Sequence, residues 1–514
     1  MSIVSIRFQD LLDREALERV AGSTDIEITS VCYDSREARP GSLFVALRGG
    51  YTDGHQFLAD ARARGAVAAL VEIWSPDVDR FSAAAQVHDT RASLARVAER
   101  FYHGPGESLG VVGVTGTDGK TTTTFLIDAI LRHAGLRTGM IGTVSVRIAD
   151  VITDHDTRQT TPESLEIQQL LSQMREASVD WAILEATSHG LELHRLDTCP
   201  FDIGVVTNIT HEHLDFHGTV EAYRRAKARL LESVADRPDR SYPHGIVLNS
   251  DDDGARSIAD FAGNEPLLWF SMQDQDADLA ASNVRVSTAG TSFSLEFGGE
   301  TRQVRLNLIG EYNVANALAA AGAAKIAGLD LETIVDGLES LRSVPGRLAR
   351  VDEGQPFNVF VDYAHTPDSI EKTIRLLRSL NSGRIIAVFG SAGERDRAKR
   401  AVQGAVAARL ADFAVFTSED PRFEDPDVII DQIARGAIEA GAREEFDFVR
   451  RENRQQAIET AFEAAGPGDV VLLAGKGHEQ CIIYGSERRP WDEASAARAA
   501  LQIRGFSSAG RTES

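Results

Sequence analysis

The stretch LGVVGVTGTDGKTTTTFLIDAILRHAG, residues 109–135, decides the fold. Its first eight residues form a β-branched run that ends in glycine, the pattern of a buried strand. Leu126, Ile127, Ile130 and Leu131 then share one face at helical spacing. The glycine-rich stretch Gly113-Val-Thr-Gly116-Thr-Asp-Gly119-Lys120-Thr121, which overlaps the strand's end and opens the helix, reads as the loop. In a strand, loop and helix of this kind the glycines let the backbone wrap closely around phosphate oxygens, and the helix N-terminus supplies N–H donors and positive potential. Lys120 can then meet the β- and γ-phosphates, and Thr121 can hold Mg²⁺. The strict GxxxxGK[ST] spacing is not met, because position 114 is Val and the nearest glycines are Gly113 and Gly116. The sequence therefore predicts a variant phosphate loop. A dinucleotide-binding loop would leave Lys120 and Thr121 without a purpose.

Working outward, the short apolar runs WAILEA (181–186), FDIGVVTNI (201–209) and GIVLNS (245–250) are separated by helix-like segments, the alternation of a mostly parallel sheet. Residues 281–309 alternate like antiparallel strands. Helices are expected over 313–327 and 331–341, before Val344-Pro345-Gly346. Beyond that point RIIAVFG (384–390), FAVFTS (413–418) and DVVLLAG (469–475) predict a second α/β unit with its functional loops at the strand C-termini. Upstream, SLFVAL (42–47) and AVAALV (66–71) alternate with charged helical segments in a smaller α/β unit. The expected architecture is α/β with three domains: a small N-terminal domain (1–107), a central P-loop-like domain around a mostly parallel sheet (108–343) and a C-terminal Rossmann-like domain (344–514).

The 514 residues, 43% hydrophobic and 25% charged, agree with roughly three soluble domains of about 150–200 residues each. With 54 basic and 77 acidic residues the formal charge is −23, which argues against general affinity for nucleic acid or anionic membranes. The cysteines Cys32, Cys199 and Cys481 are too few and too scattered for a disulfide framework or structural zinc, as expected in a reducing cytoplasm. No stretch approaches the length of an apolar membrane span, and the N-terminus lacks a signal-peptide core. A cytoplasmic protein without membrane insertion, and monomeric, is expected.

The loop TGTDGKTTTT resembles the ATP loop of the Mur ligases, and further motifs follow in the family's order over nearly the whole chain. Asp34-Ser35-Arg36, Pro40-Gly41 and Gly49…Asp53-Gly54-His55 resemble its uridine-nucleotide domain. Thr160-Thr161-Pro162-Glu163 resembles its substrate-gripping TTP motif. Glu185-Ala-Thr-Ser188-His189-Gly190-Leu191, Val344-Pro345-Gly346-Arg347 and Val361-Asp362-Tyr363-Ala364-His365 resemble three more of its elements. The likeness is greatest to the tripeptide-forming branch, Mur ligase E. It implies an ATP-dependent acid–amino-acid ligase of peptidoglycan precursor synthesis, acting on UDP-N-acetylmuramoyl-L-alanyl-D-glutamate, ATP and a diamino acid through an acyl phosphate. The C-terminal domain is expected to close over ATP, since an acyl phosphate must be shielded from water. A folylpolyglutamate synthase-like ligase shares the phosphate-loop theme, and a P-loop protein using nucleotide only as a binding switch is the alternative from another class.

Glu185 ends an apolar strand, where a hard oxygen ligand for Mg²⁺ is expected; as a bare pattern it reads equally as a capping carboxylate. The histidines of Asn208-Ile-Thr-His211-Glu-His213-Leu-Asp215-Phe-His217 on their own suggest a transition-metal site. The resemblance instead implies Mg²⁺ held by Thr121, Glu185 and His213, and an ATP site of Gly116, Thr117, Asp118, Gly119, Lys120, Thr121, Thr122, Asn208, Asn316, Arg347 and Asp362. Glu212 stands where the family usually has Asp. By the same carry-over Ser35, Thr160, Thr161, Ser188 and Arg195 hold the UDP-muramoyl dipeptide, Arg195 as a carboxylate clamp. Lys227 reads by composition as a solvated helix lysine, and its match to Tyr223-x-x-Ala226-Lys227 implies a carbamylated lysine (N6-carboxylysine). Lys120, Glu185, His213 and Lys227 form the implied catalytic set.

The incoming amino acid is implied to meet Arg395, Glu419, Asp420, Arg422, Gly475 and Glu479. Family members that take diaminopimelate carry Asp-Asn-Pro-Arg, whereas this chain has Glu419-Asp420-Pro421-Arg422. An added carboxylate at Asp420 would repel the second carboxylate of diaminopimelate and attract a lone ammonium. Lysine or ornithine is therefore expected ahead of meso-diaminopimelate, with the retained Arg422 as the counterargument.

Overall fold

The computed structural model describes residues 5–49, 52–154, 159–210, 212–237 and 239–507. Its contacts divide the chain into two compact units. The first holds residues up to 282 with 295–302 and 315–340, and the second holds 283–294, 303–314 and everything from 341. The division runs through the three strands Leu279–Ser287, Gly290–Phe297 and Glu300–Leu306, which lie in the region read as antiparallel.

In the first unit, a five-stranded sheet has parallel strands Ser30–Cys32, Ser42–Val45, Ala66–Val71 and Ala83–Val87, closed by Leu17–Gly22 running antiparallel at one edge. Its residues alternate between two cores. Leu43, Val45, Leu70 and Ala85 face the helix Thr90–Phe101, while Phe44, Ala69, Val71 and Ala84 face the short helix Leu58–Ala63. Burial on both faces explains why these strands read as unbroken apolar runs.

The same unit contains the larger sheet, in which Thr138–Ile141, Trp181–Glu185, Gly110–Thr115, Ile203–Val206, Gly245–Asn249 and Leu267–Ser271 lie side by side and parallel. An antiparallel hairpin, Ser145–Ile148 with Val151–Asp154, extends one edge. Gly113 sits mid-strand, where an added Cβ would lie 2.5 Å from Leu230 Cδ1 and 2.8 Å from Phe201 Cε1. Its inclusion in the phosphate loop is therefore corrected. Gly113 allows the helix Val220–Ala235 to close onto the sheet, and the loop proper begins at Gly116.

The second unit carries the parallel strands Asn358–Asp362, Val470–Ala474, Ile385–Phe389, Phe413–Phe416 and Phe448–Arg450 in that spatial order, with Ala349–Val351 antiparallel at the edge. Alternate residues again enter opposite cores. Phe360, Ala387, Phe416 and Leu472 pack under the helices Pro367–Leu380, Ala398–Leu410 and Pro426–Glu439. Val361, Val388, Val415 and Leu473 pack under Arg454–Ala464 and Glu493–Ile503. This is a doubly wound sheet, whose crevice-forming loops lie at the strand C-termini.

Candidate active site

In the first unit, strands 110–115, 181–185 and 203–206 are neighbours, so their C-termini bring together the loop 116–119, Glu185 and Asn208. The loop is shaped by backbone approach. Gly119 has φ 85° and a Cβ there would lie 2.2 Å from Asn316 Oδ1, while a Cβ on Gly116 would lie 1.9 Å from Thr207 Oγ1. Asn208 is spent on the loop. Its carbonyl accepts from Thr117 N–H (2.8 Å), its side-chain oxygen from Asp118 N–H (2.9 Å), and its amide donates to the Asp118 carbonyl (3.2 Å). Lys120 Nζ donates to the carbonyls of Gly116 (2.9 Å) and Thr117 (2.8 Å). The ammonium thus lies against the loop, which opens into the helix Lys120–His133. Thr122 is buried one turn in, beside Thr121.

Glu185 is buried. Its Oε2 accepts from Thr121 Oγ1 and Thr143 Oγ1, each at 3.0 Å, and its Oε1 accepts from Thr143 N–H at 2.9 Å. Thr143 Oγ1, whose one hydrogen goes to Glu185, also lies 3.0 Å from Thr160 Oγ1, which can donate to it, and Thr161 Oγ1 donates to the Glu185 carbonyl (2.7 Å). A buried carboxylate whose hydrogen-bond donors are all neutral, with hydroxyl oxygens around it, is a set that suits a hard divalent cation. His213 stands apart from this carboxylate in the contacts it makes. It has φ 54°, lies 3.6 Å from Glu212 Oε2, and stacks edge-on to His189 with ring centroids 4.7 Å apart. His217 lies 5.6 Å from the same His189 ring. Burial first, then His213 and His217, push His189 down to about 4. His211 falls outside the described residues. Among the described residues no group of three His, Cys, Asp or Glu could hold a metal ion, and the three-histidine reading, which includes His211, extends beyond them.

Lys227 is not a solvated helix lysine. It is buried, donates to the Gly116 carbonyl at 2.7 Å and lies 4.7 Å from the Tyr223 ring centroid. Burial, and then the charge of Lys120, hold its ammonium well below the usual lysine range. Tyr223 in turn bonds Thr117 Oγ1 at 3.0 Å, so the helix 220–235 braces the phosphate loop from beneath.

The residues expected to hold the sugar dipeptide have internal partners. Ser35 Oγ donates to Asp60 (2.7 Å) and Ser188 is buried at the start of a short helix. Arg195 pairs with Glu163 (2.8 Å) and donates to the Thr161 carbonyl (2.9 Å), leaving its buried Nε without a hydrogen bond. Glu163 also takes Arg91 at 3.1 Å, so the carboxylate that Arg195 grips here belongs to the protein. His55 is architectural, its Nδ1 2.6 Å from Asp53 Oδ1 and its Nε2 accepting from the backbone N–H groups of Glu72 and Ile73.

In the second unit, Arg395, Glu419, Asp420, Arg422 and Glu479 line one cavity of about 380 Å³ with Tyr363, His365, Lys399 and others. Gly475 is not among the lining residues but packs closely on one of them, since a Cβ there would lie 3.0 Å from Glu419 Oε2. That oxygen is buried and has no hydrogen-bond partner, and burial raises the Glu419 carboxyl above its usual range. Asp420 is placed differently from the expectation of a carboxylate facing the substrate. Its Oδ1 accepts from Lys476 Nζ (2.9 Å) and Ile483 N–H (3.0 Å). Lys476 is fully buried and also holds Glu479 at 2.6 Å. Burial works against its charge, but Glu479 and Asp420 together raise it. Arg347 lies 5.6 Å from the Tyr363 ring, and both oxygens of Asp362 are occupied by backbone N–H groups of Leu348 and Ala364, each at 2.8 Å. Asn316 belongs to the first unit and lies within 3.5 Å of Thr123 Oγ1.

Sequence reasoning missed Thr143, Glu163 as an arginine partner, Lys399, His365 and Lys476. Only Lys476 carried a signal, the AGKGHE run in which it sits between two residues already singled out.

Three family models match successive parts of the chain. Residues 27–102 match the model described as Mur ligase family, catalytic domain, residues 114–324 the Mur ligase middle domain, and residues 346–477 the Mur ligase glutamate ligase domain. A UDP-N-acetylmuramyl-tripeptide synthetase of Roseiflexus sp. (strain RS-1) is 47% identical, over 93% of this chain and 96% of its own. A UDP-N-acetylmuramoyl-L-alanyl-D-glutamate–2,6-diaminopimelate ligase of Geobacillus kaustophilus (strain HTA426) is 41% identical over 93% and 96%. A solved structure of a ligase of that same description superposes with TM-score 0.67 at 30% identity, covering 98% of this chain and 100% of that one. On these matches, over nearly its whole length, the chain belongs to the Mur ligase family of ATP-dependent ligases.

Proposed function

We propose that the protein adds a diamino acid, lysine or ornithine ahead of meso-diaminopimelate, to UDP-N-acetylmuramoyl-L-alanyl-D-glutamate, acting as a cytoplasmic monomer. The observation that carries this reading is the cavity of the second unit, where guanidinium groups of Arg395 and Arg422 stand with the unpartnered buried oxygen of Glu419. A zwitterionic amino acid complements that set, its carboxylate toward the arginines and an ammonium toward Glu419. The phosphate loop, with Lys120 and the helix N-terminus, would bind the triphosphate. The γ-phosphoryl group passes to the side-chain carboxylate of the D-glutamyl residue. The free amine then attacks the acyl carbon, forming the amide and releasing phosphate.

Thr121 and Glu185 would hold Mg²⁺, with His213 near a second ion. The metal, when bound, neutralises charge on the transferring phosphoryl group. The buried Lys227 fits carbamylation, because only an unprotonated amine adds CO₂ and burial shifts the balance toward that form. Arg195, if Glu163 yields it, can hold a substrate carboxylate. Asp420 acts indirectly. Lys476 serves Asp420 and Glu479 together and Lys399 acts on Glu419, so this end of the cavity has three carboxylates against two ammonium groups. That excess favours an amino acid with a lone distal ammonium. Tripeptide formation should be measured by mass spectrometry with lysine, ornithine and meso-diaminopimelate separately, in wild type and Asp420→Asn. Wild type is expected to use the first two better. Exclusive use of diaminopimelate by wild type contradicts the role given to Asp420.

A further inference from the structure

Two non-glycine residues of the second unit have left-handed backbone at the cavity arginines. Glu394 has φ 54° and precedes Arg395, and Arg422 itself has φ 53°. Such conformations are sparsely populated and persist where the surroundings hold them. Arg422 is held by its backbone, whose N–H donates to the Ile483 carbonyl (2.9 Å) and whose carbonyl accepts from Gly485 N–H (2.6 Å), whereas Glu394 is held by Glu424. Its Oε1 accepts from Glu394 N–H (2.6 Å) and Arg400 Nη2 (3.0 Å), and its Oε2 accepts from Arg400 Nη1 (2.9 Å) and lies 3.2 Å from Arg397 Nη2. Arg400 is fully buried and also donates to the Ala392 carbonyl (3.1 Å) and Gln432 (2.8 Å). The two loops meet backbone to backbone as well. Gly393 N–H donates to the Asp420 carbonyl at 2.8 Å, and a Cβ on Gly393 would lie 2.0 Å from the Pro421 carbonyl. Glu424 and Arg400 are not among the residues that line the cavity.

We propose that Glu424 and Arg400 are a positioning pair for the amino-acid subsite, tying the loop that bears Arg395 to the loop that bears Arg422 so that both guanidinium groups meet one substrate. This rests on the reading of the cavity as the amino-acid site. The pair acts by geometry, because a buried guanidinium with a two-oxygen partner holds one orientation only. Hydrogen bonds from Arg400 keep the Glu424 carboxyl at about 2, so the tie is charged throughout the neutral range.

The test compares wild type, Glu424→Gln, Arg400→Lys and Arg422→Ala by KM for the diamino acid, KM for ATP, kcat and thermal unfolding. In Glu424→Gln and Arg400→Lys the KM for the amino acid should rise about tenfold, the loss of one charge-assisted contact, while the KM for ATP stays within about twofold. An unchanged amino-acid KM in both, with a raised one in Arg422→Ala, overturns the positioning role and leaves the cavity assignment standing. An unchanged value in Arg422→Ala also overturns the cavity assignment itself. Equal rises in both KM values, or loss of folding in both variants, overturns the proposal in favour of a purely structural pair.

Discussion

The phosphate loop and the amino-acid cavity handle charge in opposite ways. The loop is one continuous run, 116–121, whose recognition groups are backbone N–H donors and one lysine. Its shape is enforced at Gly116 and Gly119, where no side chain fits. The cavity is assembled from the loops after four separate strands, and its charged groups lean on buried counter-charges such as Lys476 and Glu424. A triphosphate has the same shape in every such enzyme, so backbone can read it. A diamino acid must be told apart from close relatives, and only placed side chains do that.

The comparison breaks most severely at Lys120. Lys120→Ala should reduce turnover by more than about a thousand-fold, since the charge that meets the phosphates is lost. The fold should survive, because the ammonium's partners, the carbonyls of Gly116 and Thr117, lie in the loop itself. Turnover close to wild type in a steady-state assay would remove the phosphate-loop assignment. Next in size is the cavity. Arg422→Ala is expected to raise the amino-acid KM roughly ten- to a hundred-fold with little change for ATP, as removal of a guanidinium partner implies. A matching rise for ATP would mean the two regions are not separate in function.

Smaller effects sharpen the contrast. Asp420→Asn leaves Lys476 paired with Glu479 alone and should shift the ratio of kcat/KM for diaminopimelate over lysine upward by about fivefold, the order of one charge acting through well-solvated surroundings. A ratio that does not move would place specificity elsewhere. The smallest expected effect is on stability. Glu424 is held at about 2 against an ordinary 4.5, so its contribution is complete above pH 4.5 and is lost as pH falls toward 2. Denaturant titrations of wild type and Glu424→Gln should therefore converge over that window. Parallel curves down to pH 2 would show that the carboxylate contributes no pH-linked stability.

How far these regions were legible in the sequence follows from the same difference. Gly116 through Thr121 could be read directly, because a contiguous strand, loop and helix carry their own geometry. Gly113 misled, since a glycine that admits Leu230 and Phe201 looks in sequence like one that admits a phosphate. The doubly buried strands were visible as apolar runs to within a few residues of their ends. Asp420 was placed in the right neighbourhood but pointed the wrong way. Its partner Lys476 is distant in the chain, and nothing local announces a buried ammonium. Arg195 and Ser35 are expected to hold the sugar dipeptide, and nothing local in the sequence announces their internal partners Glu163 and Asp60. Lys227 shows the converse, a helix lysine of ordinary composition that tertiary packing buries against Gly116.

The most direct test of the account is phosphate release from Mg-ATP by the purified protein, with UDP-N-acetylmuramoyl-L-alanyl-D-glutamate and a diamino acid added singly and together. The account predicts sustained release only when both are present, with one amide formed per phosphate by mass spectrometry. Sustained release that ignores the amino acid, or release without a tripeptide product, would contradict it.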